Sequence, residues 1–80
     1  MQLSEALIRC MSPIAQAKAW AHLEDELLLD LDMIDGVTLE TEPLRIATAN
    51  RLAERGVVHA VAGSTGCVRV TRVFPLRKVA

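Results

Sequence analysis

Aromatic residues are nearly missing from this 80-residue chain: Trp20 and Phe74 are the only two. A core built around stacked rings is therefore excluded, and Leu, Val, Ile and Ala must fill the interior. Cysteine is almost as scarce. Cys10 and Cys67 lie far apart, form no CxxC pair and have no His at metal-ligand spacing, which excludes a disulfide framework and a zinc site. They read as free thiols of a reducing compartment, so a cytoplasmic location is expected. No apolar run approaches the roughly 18–20 residues needed to cross a bilayer. The segment from Met1 to Met11 carries Glu5 and Arg9 and lacks the basic start and apolar run of a secretory signal.

Catalytic groupings are also lacking. His22 sits among Glu24, Asp25 and Glu26, and His59 lies in a β-prone run; neither has a nucleophile or metal partner at useful spacing. Gly63-Ser64-Thr65-Gly66 has no following lysine and helix, so it is not a phosphate-binding loop. The expectation is a non-enzymatic protein with no cofactor and no metal.

Aliphatic bulk and a divided charge are present instead. Apolar residues make up 51% of the chain, more than so small a domain readily hides, which favours a homodimer. From Met1 to Glu42 nine acids accompany only Arg9 and Lys18. From Pro43 to Ala80 seven bases accompany only Glu54. Such asymmetry points to an interaction surface rather than to chemistry. The basic half can face phosphates, a protein partner, or the acidic half of a second copy.

The pattern of stops and stripes predicts one α+β domain over residues 1–80. Ser4 caps a short helix from Glu5 to about Met11, and Ser12-Pro13 restarts the chain as a long helix to about Ile34, stopped by Gly36. Trp20, Leu23, Leu27, Leu31 and Ile34 form one stripe on it, expected to pack against Ile46, Leu52, Val68 and Val70. Ile14, Ala17, Ala21 and Leu28 form a second stripe. It is either part of one broad core face or the interface of a homodimer. A short strand is possible over 37–39. A third helix spans 43–55, with Pro43 in its first turn and Gly56 at its end.

The β-branched runs Val57 to Ala62 and Cys67 to Phe74 then form a C-terminal hairpin over 57–74, ended by Pro75. A loop centred between Ser64 and Thr65 opposes Val61 with Val68, His59 with Val70 and Val57 with Arg72. A bulge is plausible near Thr71 and Arg72.

On a helical wheel of the third helix, Ile46, Ala49, Leu52 and Ala53 share one side. Thr48, Arg51 and Arg55 share the other, with Arg45 at its edge. These are residue types that contact phosphates and base edges. The hairpin adds Arg69 and Arg72, with Ser64 and Thr65 at its tip. The stretch from Ala47 to Phe74, in which a helix ending in Arg-Gly enters two strands with alternating Val and Arg, resembles the recognition helix and wing of winged helix-turn-helix regulators. The resemblance covers about a third of the chain. It implies that Thr48, Arg51 and Arg55 enter the major groove while Ser64, Thr65 and Arg69 approach backbone or minor groove. One departure is clear: the family has a short helix and tight turn before the recognition helix, whereas Gly36 to Glu42 reads as extended and acidic.

The resemblance makes a DNA-binding transcriptional regulator the leading expectation, with DNA as partner. The alternative is a protein-binding module acting through the acidic face of the long helix or its apolar second stripe. Anti-CRISPR inhibitors encoded by phages and mobile elements are similar in size and composition.

Overall fold

A computed structural model describes residues 3–73, in the order α1 (Glu5–Arg9), α2 (Pro13–Met33), β1 (Val37–Leu39), α3 (Pro43–Glu54), β2 (Val58–Ala62) and β3 (Val68–Arg72). The fold is α+β, with three helices and one three-stranded antiparallel sheet of order β1-β3-β2, whose first strand lies between α2 and α3 in the chain. The short strand over 37–39 is formed, and it pairs with β3 rather than standing alone. The expected strand end at Phe74 and Pro75, and the bases Arg77 and Lys78, fall outside the described residues.

Local chemistry places the helix starts where the sequence puts them. The Ser4 hydroxyl accepts the Leu7 N–H at 3.2 Å, and the Ser12 hydroxyl accepts that of Ala15 at 3.3 Å. Each satisfies one of the N–H groups that a first helical turn leaves without a partner. Pro13 and Pro43 open α2 and α3, where a missing N–H costs nothing. Between β1 and α3 lie only Glu40, Thr41 and Glu42, with Thr41 in the left-handed region at φ 47°. No additional helix occupies that link.

Leu27 and Leu31 of α2 meet Leu39, Ala49, Leu52, Val58 and Val70 in one buried cluster, with Ile46 and Val68 packed partly against it. Trp20 and Leu23 are only partly buried. Ile34 departs from the expected core stripe. The helix ends at Met33, and Ile34 takes extended angles (φ −136°, ψ 138°) that carry its side chain into solvent. The stop therefore comes before Gly36.

The hairpin register differs from expectation by one residue. β2 and β3 pair Val58 with Arg72, Ala60 with Val70 and Ala62 with Val68. The cause is the loop. Gly63 N–H donates to the Cys67 carbonyl at 2.7 Å, Gly66 N–H to the Gly63 carbonyl at 3.3 Å, and Gly66 has φ +82°. That is a three-residue connection closed by a left-handed glycine, not a loop centred between Ser64 and Thr65. Because side chains alternate, the one-residue shift turns β2 over. Val58 and Ala60 face the helices, while His59 and Val61 face outward. Pairing also continues regularly through Thr71 and Arg72, without the expected bulge.

Gly56 ends α3 at φ +75°, and a side chain there would meet nothing within 4 Å. Its requirement is conformational only. Gly56→Ala is expected to cost about 1–2 kcal/mol, and Gly56→Asn less, because asparagine tolerates this region. Urea unfolding of the two variants checks the order; an alanine variant as stable as wild type would contradict it.

Candidate functional site

The positions that decide the site come from α2. Trp20, Glu24, Leu27 and Leu31 recur at helical spacing on one side, so an acid is built into the apolar stripe. Glu24 is accordingly only 7% exposed. A carboxylate so placed requires charged partners. Arg55 Nη2 donates to Glu24 Oε1 at 2.8 Å, and Arg51 Nε lies 3.6 Å from Oε2. The Arg51 guanidinium also lies over the Trp20 ring, 4.3 Å from its centroid. This is a cation–π contact on top of the ion pair.

The same relation recurs along α2. Arg45 donates to Asp30, and its Nε lies 3.8 Å from Glu42 Oε1. Arg72 donates to Asp32 and, at 3.3 Å, to the Leu28 carbonyl. The acidic half of the sequence thus lies against the basic half of the same chain. Exposed pairs of this kind contribute only about 0–1 kcal/mol each to stability. Their larger consequence is for binding: the carboxylates offset the positive charge these guanidinium groups can offer a phosphate.

The structure separates the candidate nucleic-acid residues. Arg45, Arg51, Arg55 and Arg72 are held by acids. Thr48 does not face outward: it is 1% exposed, and its hydroxyl donates to the Leu44 carbonyl at 2.7 Å. The grouping of Thr48 with Arg51 and Arg55 is real, but that side of α3 faces α2, so Thr48 is closed off from a groove. Ser64 and Thr65 stay exposed at the hairpin tip, and Thr65 Oγ1 lies 3.3 Å from Cys67 Sγ. Arg69 is exposed on the outer sheet face and has no ion pair among the described residues.

The second stripe also divides. Ile14, Ala17 and Ala21 are exposed, while Leu28 packs partly against the chain's own core. Sequence reasoning missed a different apolar surface near the end of α2. Leu29 is 63% and Met33 85% exposed, one turn apart, followed by exposed Ile34. Helical spacing puts Asp25 and Glu26 on the same side as Leu29. Asp25, Asp35 and Glu40 have no ion pair among the described residues. The signal was available: Leu27, Leu28 and Leu29 run consecutively, and one helix face cannot hide all three.

Among the described residues no cluster of His, Cys, Asp and Glu is able to hold a metal ion, and no helix is long and apolar enough to cross a membrane. Both cysteines are free thiols, Cys10 exposed and Cys67 partly buried. No family model matches the chain, and neither curated proteins nor solved structures give a significant match.

Proposed function

We propose that this chain is a small non-enzymatic binding module whose working surface is the outward face of α2, and whose partner is a protein with an apolar centre and a basic rim. One contrast carries the reading. Four arginines of the basic half are held by acids of their own chain, while Leu29 and Met33 stand bare, the first of them one turn from Asp25, which has no ion pair among the described residues. Exposed apolar side chains ringed by charge are the usual make-up of a protein-binding patch. An inhibitor encoded by a phage or mobile element is one form such a module takes. A cytoplasmic setting fits the two free thiols.

Affinity capture with wild type and with Leu29→Lys/Met33→Lys tests the proposal. A protein retained by wild type and lost by the variant is expected. Retention of the same protein by both would overturn it.

DNA binding is the second reading. One observation favours it: α3 passes through Arg55-Gly56 directly into the hairpin, with Ser64, Thr65 and Arg69 exposed there. This is the arrangement on which the winged-helix resemblance rests. The lysine substitutions separate the two readings, since added positive charge does not weaken attraction to phosphates.

A further inference from the structure

We infer that the outer face of the sheet holds a binding site for a small aliphatic carboxylate, centred on Arg69 and separate from the α2 surface. Alternation along the strands sends Thr38, His59, Val61, Arg69 and Thr71 away from the helices. Strand pairing sets Arg69 between Thr38 and Val61, and Thr71 beside His59. An open depression of about 510 Å³ lies here, bounded by Thr38, Arg69 and Thr71 and by the apolar side chains of Val61, Ala62 and Cys67. That volume is ordinary for a small-molecule site.

Two observations point to an oxyanion. The first is that the polar groups of the depression have no partners in the chain. Arg9, Arg45, Arg51, Arg55 and Arg72 each engage an acid. Arg69 engages none, and neither the Thr38 nor the Thr71 hydroxyl forms a hydrogen bond among the described residues. One guanidinium and two hydroxyls, all able to donate, thus line the same depression.

The second is that the guanidinium is seated without an acid. A side chain at Gly36 would come within 2.9 Å of Arg69 Nη2, 3.3 Å of its Cζ and 3.3 Å of Thr71 Cγ2. Arg69 therefore reaches from β3 to the start of β1 and rests in space that only a glycine leaves open. Gly36 is not in the left-handed region, so this glycine matters for space and not for backbone freedom. A fork placed before binding loses less freedom when a ligand arrives.

The lining selects the class of anion. A planar fork of N–H donors matches a carboxylate through two parallel hydrogen bonds. Arg69 is the only base among the lining residues, so it balances a single negative charge rather than the two of a phosphate. Val61, which is 64% exposed, suits an aliphatic stem together with Ala62 and Cys67. The ligand is thus a monocarboxylate with an apolar tail of a few carbons.

NMR spectra of the full chain, covering backbone amides and arginine Nε groups, test this in titrations with acetate, hexanoate and inorganic phosphate. Hexanoate is expected to give saturable shifts at Thr38, Val61 and Arg69 Nε. Its affinity should exceed that of acetate at least about ten-fold, since each fully buried methylene adds roughly a factor of four. Phosphate should bind more weakly than hexanoate. Arg69→Gln should remove the saturable shifts. Arg69→Lys keeps the charge without the fork and should weaken hexanoate at least about five-fold. Gly36→Ala should weaken it similarly with urea stability nearly unchanged, because only the flexible end of Arg69 has to move. Leu29→Lys/Met33→Lys should bind hexanoate as wild type does, which keeps this site distinct from the α2 surface. Absence of saturable shifts with hexanoate, equal affinity in wild type and Arg69→Gln, tighter binding of phosphate than of hexanoate, or wild-type affinity in folded Gly36→Ala would each overturn the inference. Arg69 is exposed, so its variants decide even if Gly36→Ala fails to fold.

Discussion

Replacing Leu27 by alanine should lower the unfolding free energy by about 2–5 kcal/mol, a large share of the margin of a domain this size. Leu27 is 1% exposed at the centre of the buried cluster. Its neighbours there are aliphatic side chains and Ala49, with no ring among them. Removing the isobutyl group forfeits its transfer energy and leaves a cavity that small, stiff β-branched neighbours such as Val58 and Val70 fill poorly. In a domain of 60–100 residues each kcal/mol corresponds to roughly 4–8 °C in Tm. The loss should therefore appear as a lower urea midpoint at unchanged slope and as a Tm drop of about 8 °C or more. Ile14→Ala is the control, expected within about 0.5 kcal/mol of wild type because Ile14 is exposed. Equal stability of the Leu27 variant and wild type would mean that another face of α2 is buried.

The double substitution Leu29→Lys/Met33→Lys should cost at least about 100-fold in affinity for the protein partner while leaving stability nearly unchanged. Burying one such side chain contributes roughly 1.5–3 kcal/mol, so losing two removes about 3 kcal/mol or more. Lysines add a second penalty against a basic rim. The fold should tolerate them, since both side chains are exposed and positive charge near a helix C-terminus is favourable. Titration calorimetry with the captured partner, alongside urea unfolding, separates the two effects. Unchanged affinity would show that α2 does not carry the interaction.

Much of the fold was legible because its signals are local. Ser4, Ser12-Pro13 and Pro43 fix helix starts through backbone chemistry that needs no tertiary context. The β-branched runs on either side of a glycine-rich loop specify a hairpin. The errors arose where one residue's conformation controls many others. Gly66 in the left-handed region makes the loop odd in length, and that single choice inverted the faces of β2. Ile34 lost its place in the core because α2 ends one residue earlier than its stripe.

The candidate site was legible in composition but not in arrangement. The split between acidic and basic halves is evident in the sequence. That α2 would lie across α3 and β3 so that the halves meet within one chain follows only from packing. Glu24 on the stripe of Trp20, Leu27 and Leu31 was the residue that pointed there. Thr48 was misplaced because a helical wheel groups residues correctly without saying which group faces a neighbour.

The central claim is that four arginines of the basic half, Arg45, Arg51, Arg55 and Arg72, are paired with acids of their own chain. Titration of folded protein into mixed-sequence duplex DNA, repeated over a series of salt concentrations, tests it most directly. The account predicts no complex tighter than about 100 μM at low salt, because Glu24, Asp30 and Asp32 offset the charge that their arginines can offer to phosphates. Low-micromolar binding that weakens steeply with salt, and is abolished by Arg51→Ala/Arg55→Ala, would contradict it.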